Sequence, residues 1–274
     1  MRHRILRRKI EQKHVTQLSG LPTLLQRIYA ARHVQSMKDI DRSLSALLPY
    51  HGLKDIEKAA MRLVDAIKKQ ERILVIGDFD ADGATSTAVA VSALRLFGAK
   101  NVDFLVPNRF TFGYGLTPEI VDVAKTKSPH LIITVDNGIA SIEGVTRANE
   151  YGIDVVVTDH HLQGEKSPDA FAIVNPNRKA DCFESKSLAG VGVIFYVMLA
   201  VRAQLDHKPN MAELLDLVAL GTVADVVPLD KNNRILVYQG LQRIRAGLAR
   251  PGIRALLEVA GRNAAKLTAM DLGF

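Results

Sequence analysis

Cysteine is nearly absent from this 274-residue chain; Cys182 stands alone. No internal disulfide can form, which suits a reducing compartment and makes a cytoplasmic protein the expectation. A sulfur-rich zinc site has no support for the same reason. Long hydrophobic runs are lacking too. The longest, residues 191–201, covers 11 residues, too short to span a bilayer, and reads as a buried helix. No membrane association is expected. The chain contains neither GxxxxGK followed by Ser or Thr, nor GxGxxG after its first strand pattern. Readings as a nucleotide triphosphatase or a dinucleotide-binding protein therefore lose their strongest support. There is also no low-complexity linker and no repeat of fixed period.

What is present is an ordinary globular composition: 47% hydrophobic, 24% charged, with 19 glycines and 10 prolines. The formal charge of +7 permits a polyanionic partner without requiring one. The basic start, MRHRILRRKIEQKH, has no apolar signal core behind it. It reads either as an arm that contacts nucleic acid or as a solvated tail.

Three segments have apolar residues at helical spacing: PTLLQRIYAARH from Pro22, DIDRSLSALL from Asp39 and DIEKAAMRLVDAIKKQ from Asp55. They predict an N-terminal helical collar over residues 1–70. From residue 72 the rhythm becomes apolar strand, polar turn, helix. RILVIG, NVDFLVP, HLIITV, DVVVTD and AFAIVNP read as strands that are apolar on both faces, as a parallel sheet covered by helices requires. The expected fold is thus an α/β parallel-sheet domain over residues 71–230. A helical C-terminal extension over 231–274 is expected to lead into a second domain that this chain does not contain.

Three of the strand ends carry the chemistry. Asp78, Asp80 and Asp82 follow RILVIG, Asp136 follows HLIITV, and Asp159, His160 and His161 follow DVVV. In an open α/β sheet, ligands bind at the carboxyl ends of the strands. One such aspartate reads equally well as a helix cap; three polar ends point to a metal or phosphate site. Carboxylate and imidazole donors suit Mn²⁺ or Mg²⁺, and there are enough of them for two ions sharing a bridging carboxylate. Gly83 and Gly138 are expected to leave room for such ions.

GDFDADGATST, TVDNGI and VTDHH together resemble the DHH phosphoesterase superfamily, and within it the bacterial exonucleases specific for single-stranded DNA. LVPNRF, GYGL, KSLAGVGV, LLDLVALGTVADVVPLD and RIRAG extend the likeness over nearly the whole chain. The resemblance implies that Asp80 and Asp82 are ligands, one for each metal, that Asp136 bridges the pair, and that His160 and Asp225 also bind metal. Many relatives have a histidine ligand at the position of Ile76, so one site is poorer here; Asp78 is a further candidate, directly or through water, with a structural role as the other reading. Asp159 resembles a residue that orients the histidines, and His161 one that faces the substrate.

The implied cofactors are two divalent ions, Mn²⁺ or Mg²⁺. The implied activity is 5′-to-3′ hydrolysis of single-stranded DNA to mononucleotides in recombination and repair. Single-stranded-DNA-binding protein or a helicase are partners that the resemblance suggests. Two alternatives stay open: a phosphodiesterase for short oligonucleotides or cyclic dinucleotides, and a non-catalytic nucleic-acid-binding replication or scaffold protein.

The loop PNRFTFGYGL adds Arg109, a candidate for bidentate phosphate contact, and Phe110, Phe112 and Tyr114, which read either as base-stacking platforms or as residues that pin the loop. The glycines of KSLAGVGV read either as a phosphate-binding helix start or as close packing. Arg243, Arg245, Arg250 and Arg254 form a basic cluster without an assigned role.

Overall fold

The computed structural model describes residues 6 and 8–273; the rest of the basic N-terminal stretch, residues 1–5 and 7, lies outside the described residues. The chain forms two compact units, residues 1–46 and 47–274. The first holds helices α1 (Gln12–Thr16) and α2 (Thr23–Ala30). The helix expected from Asp39 does not form. In its place are two 3₁₀ turns, Met37–Ile40 and Leu44–Ala46. The Asp39 carboxylate accepts from the amides of Gln35 and Ser36, both at 2.9 Å, and Asp41 accepts from Ser43 at 2.9 Å. Acidic side chains here bind nearby backbone, which competes with helix propagation.

The second unit begins with α3 (Ile56–Lys68) and continues through β1 (Ile73–Gly77), α4 (Ala81–Leu96), β2 (Val102–Leu105), the short turn α5 (Arg109–Phe112), α6 (Pro118–Lys125), β3 (Leu131–Val135), α7 (Ile142–Glu150), β4 (Asp154–Thr158) and β5 (Ala172–Val174). It ends with α8 (Gly190–Ala203), α9 (Leu215–Ala224), α10 (Lys231–Arg245), α11 (Pro251–Val259) and α12 (Met270–Gly273). All five strands pair in parallel, in the order β2-β1-β3-β4-β5. The chain leaves β1 in one direction for β2 and returns to its other side for β3. The crevice at that switch, between the ends of β1 and β3, is where an α/β sheet binds ligands.

Alternation along the strands builds two cores. Ile73, Val75, Leu131, Ile133, Val135, Val156 and Val174 face the larger one with α3, α4 and α8; Leu74, Ile76, Ile132, Val155, Val157 and Ile173 face the smaller one with α6 and α7. Helices on both faces explain why β1 and β3 are apolar and buried throughout, and β4 after Asp154; the edge strand β2 departs from that expectation, leaving Asp103 and Phe104 exposed because it has a neighbour on one side alone. Helix α8 is buried over nearly its whole length, as its unbroken apolar sequence requires. No helix among the described residues is long and apolar enough to cross a membrane.

Candidate active site

The first acidic loop leaves β1 and enters α4. Asp80 is the N-cap of α4, its Oδ1 accepting from the Gly83 amide at 2.9 Å. Asp82 lies in the first turn, where the helix dipole favours negative charge. It is fully buried, and its two oxygens accept from the amides of Gly190 (2.6 Å) and Val191 (2.9 Å) at the start of α8. The glycine-rich KSLAGVGV segment therefore presents those two amides to a protein carboxylate. A Cβ on Gly190 would lie 2.5 Å from Asp136 Oδ1 and 2.6 Å from Asp136 Cβ, so only glycine lets α8 start so close to the site.

Asp136 follows β3 with φ of 62°, a left-handed conformation in which aspartate is tolerated and most side chains are not. Its amide donates to the Thr158 carbonyl, and the next residue, Asn137, donates its Nδ2 to the carbonyls of Ile76 (3.2 Å) and Val135 (2.9 Å). This ties the ends of β1, β3 and β4 together beneath the site. The 159–161 loop is fixed as firmly. Asp159 accepts from the amides of Ile139 (2.8 Å), His160 (2.7 Å) and His161 (3.1 Å), and contacts His161 Nδ1 at 2.7 Å. Asn175 and Asn177, at the end of β5, donate to the carbonyls of His161 and His160 at 2.9 and 2.6 Å.

These loops bring the predicted residues together. His160 Nε2 lies 3.1 Å from Asp136 Oδ1, 3.5 Å from Asp225 Oδ2 and 3.9 Å from Asp82 Oδ2. Three overlapping groups have potential ligand atoms within 4.8 Å of one another: Asp136, His160 and His161; Asp82, His160 and Asp225; Asp78, Asp80 and Asp136. Asp225 enters from the C-terminal end of α9, beside Val226, a β-branched residue held at φ of 60°. A carboxylate at a helix C-terminus opposes the dipole, a modest cost that a positive charge nearby would offset. The loop after it is anchored by Asn233, whose Nδ2 donates to the carbonyls of Ser187 (2.6 Å) and Pro228 (3.0 Å).

The cluster's buried carboxylates repel one another. Burial raises Asp136 to about 8, with Asp80 and Asp159 adding to the shift. Burial likewise raises Asp82, Asp78 and Asp225, with Asp136 a further cause at Asp82. Asp159 behaves oppositely: burial works against its charge, but the His161 hydrogen bond and the surrounding amides hold it below the ordinary carboxylate range. That bond in turn raises His161 to about 9. Asp136 Oδ1, His160 Nε2 and Asp225 Oδ2 are buried without a hydrogen-bond partner. Converging oxygen and imidazole donors with unsatisfied atoms fit hard divalent cations such as Mn²⁺ or Mg²⁺, which would relieve both the repulsion and the unmet bonding.

The wall of the site includes Tyr114, whose hydroxyl donates to the Asp136 carbonyl at 3.2 Å and lies 3.3 Å from His161 Nδ1. The sequence pattern drew attention to its ring and gave no sign of this hydroxyl contact. Asn175 and Asn177 were missed too, although they mark a fourth polar strand end, VNPN. Phe112 packs against the smaller core, whereas Phe110 is 94% exposed. A cavity of about 590 Å³ opens beside Tyr114 and His161, reaching the starts of α6 and α7. The Arg109 guanidinium lies over the Phe79 ring. The expectation that Gly83 and Gly138 leave room for ions needs correction. A Cβ at Gly83 would meet the Asp78 carbonyl oxygen at 2.5 Å, and one at Gly138 would meet Thr134 Oγ1 at 2.5 Å; both glycines serve protein packing. Two members of the basic cluster are also engaged internally: Arg245 donates to the Leu267 carbonyl at 2.8 and 2.6 Å, and the Arg250 guanidinium donates to the Glu213 carbonyl at 3.4 Å and lies 3.5 Å from the Asp216 carboxylate.

Strand order, switch-point crevice and a buried carboxylate–histidine cluster define a doubly wound α/β protein with a divalent-cation type of site. The chain belongs to the DHH family: the model of the DHH family N-terminal domain matches residues 72–222. It is 56% identical over 285 aligned residues to the single-stranded-DNA-specific exonuclease RecJ of Escherichia coli K12, an alignment covering all of this chain and 49% of that protein. RecJ of Thermus thermophilus is 40% identical over 233 residues, covering 85% of this chain and 33% of the relative. Among solved structures, exonuclease RecJ bound to manganese superposes with a TM-score of 0.74 at 38% identity, covering 83% of this chain and 56% of that one. The Mn²⁺ complex of Thermus thermophilus RecJ gives 0.79 at 34% identity, covering 96% and 37%. The chain thus spans about half the length, or less, of these curated relatives.

Asp159→Asn is expected to lower kcat/KM about 10–100-fold, the usual effect of removing a group that orients a metal-site histidine. NMR titration of the metal-free variant should find His161 moved down from about 9 toward its ordinary 6.5. An unmoved His161 would rule out Asp159 as the cause.

Proposed function

We propose that this chain carries the hydrolytic centre of a metal-dependent exonuclease that degrades single-stranded DNA from the 5′ end to mononucleotides. The observation that carries this reading is the convergence of Asp80, Asp82, Asp136, His160 and Asp225 at the switch point, with three buried donor atoms left unsatisfied. Those five residues would hold two divalent cations, with Asp78 as a further donor. Bound divalent cations supply charge neutralisation at the phosphoryl oxygens and an acidified water.

The remaining work falls to the chain's own groups. Asp159 fixes the His161 ring through Nδ1 and stabilises its protonated form, so that His161 can hold a proton for the leaving oxygen. Tyr114 braces the Asp136 backbone. Arg109 binds a phosphate as a bidentate donor. Residues 71–230 form the catalytic portion in this reading, preceded by the helical region 1–70 and followed by the extension 231–274. The biological setting would be recombination and repair in the cytoplasm, with single-stranded-DNA-binding protein or a helicase as partners. A scaffold protein without activity would have no reason to keep every one of these donors.

The test is hydrolysis of a 3′-labelled single-stranded oligonucleotide in Mn²⁺, Mg²⁺ or EDTA. Stepwise shortening from the 5′ end that EDTA abolishes is expected. Turnover of dinucleotides with the long strand untouched would instead identify a phosphodiesterase for short substrates.

A further inference from the structure

We propose that Phe79 is a positioning residue for Arg109, stacking on its guanidinium so that the in-plane N–H donors face a DNA phosphate at the mouth of the acidic cluster. The guanidinium carbon lies 4.2 Å from the Phe79 ring centroid. Phe79 is held on both sides. Its amide donates to Asp78 Oδ1 at 2.7 Å, and the next residue, Asp80, is fixed as the N-cap of α4. Phe79 is nonetheless 38% exposed, and it belongs to neither hydrophobic core. Arg109 opens the short turn α5, set by Asn108, whose Oδ1 accepts from the Phe110 amide at 3.0 Å.

Among the described residues no carboxylate lies within ion-pair distance of Arg109, even though Asp78 and Asp80 flank the very ring it touches. An aromatic face attracts a guanidinium over its plane and takes none of its five donors. Stacking therefore keeps the arginine beside the acidic loop without letting it collapse onto a carboxylate, and leaves its fork free for the planar, bidentate contact that phosphate offers. The same residue that separates two candidate ligands thereby sets the distance between phosphate grip and metal cluster.

This inference rests on the nuclease reading, and the experiment separates the two. Steady-state kinetics of the full 274-residue chain on a single-stranded oligonucleotide are compared for Phe79→Ala, Phe79→Leu, Phe79→Trp, Arg109→Ala and the Phe79→Ala/Arg109→Ala pair. Arg109→Ala should raise KM about 10–100-fold, the range for a charge-assisted contact. Phe79→Ala and Phe79→Leu should raise it about two- to five-fold with kcat nearly unchanged, and Phe79→Trp should stay near the unaltered value. The double variant should match Arg109→Ala alone, because the ring then has nothing to position. Arg109→Ala should also flatten the dependence of log KM on log salt by roughly 0.7, one phosphate contact on a single strand. Additive losses in the double variant, or full activity in Phe79→Leu, would overturn the positioning role while leaving the nuclease reading intact. An unaltered chain that does not cleave or bind single-stranded DNA would overturn both.

Discussion

Asp136→Asn is expected to abolish hydrolysis and at the same time to stabilise the metal-free protein. Asparagine is nearly isosteric and accepts the left-handed backbone at this position, so the fold should survive. The variant loses the carboxylate common to two of the three candidate ligand groups. Its activity should drop by more than the ~100-fold that outer partners of a metal site reach when removed.

Stability should move the other way. In the metal-free fold the Asp136 carboxyl is raised to about 8, from an ordinary 3.8, because burial and then Asp80 and Asp159 disfavour its charge. A carboxyl raised in the folded state binds more protons folded than unfolded. Its contribution is fully present below about pH 3.8 and is lost as pH climbs to about 8. In EDTA at pH 8, Asp136→Asn should therefore melt on the order of 5 °C above the unaltered chain, and the gap should close as pH falls toward 4. Adding Mn²⁺ should raise the melting temperature of the unaltered chain and leave the variant behind. A variant that still cleaves DNA, or that melts lower in EDTA at pH 8, would contradict the assignment of Asp136 to a cation site.

Gly190→Ala should be nearly as damaging, although glycine carries no chemistry. The added methyl would sit 2.5–2.8 Å from Oδ1, Cβ and Cγ of Asp136, and a contact with Cβ cannot be relieved by turning the end of the side chain. Either Asp136 moves or the start of α8 does, and α8 carries the two amides that hold Asp82. A cost of about 1–3 kcal/mol in stability is the usual range for overpacking. The loss in kcat/KM should exceed ~10-fold and follow a weakened response to Mn²⁺ in calorimetry. Gly192→Ala supplies the comparison two residues further on, where the added Cβ would meet Leu188 Cδ2 at 2.9 Å, a side-chain tip that can rotate away. Equal effects from the two substitutions would show that helix packing, and not the site, is what Gly190 protects.

A good part of the fold could be read along the chain. The strand patterns RILVIG, HLIITV and DVVV became β1, β3 and β4 because a covered parallel strand has to be apolar on both faces, which leaves the polar residues visible at its end. The helix expected from Asp39 failed because spacing records where apolar residues fall and not what Asp39 and Asp41 bind. Asp225 shows the same limit at the site. It follows a helix and not a strand, so no polar strand end marks it. Only the family likeness singled it out, and it reaches His160 because α9 ends there.

The α/β class, the polar strand ends and the donor types follow from local composition and period along the chain. It takes the packed fold to bring the Gly190 and Val191 amides to Asp82, the Tyr114 hydroxyl to the Asp136 carbonyl, and the Arg109 guanidinium over the Phe79 ring. Those pairings join residues 22 to 109 positions apart and cross from one βα unit to another. No period along a chain encodes which loops meet where the sheet reverses its direction of growth.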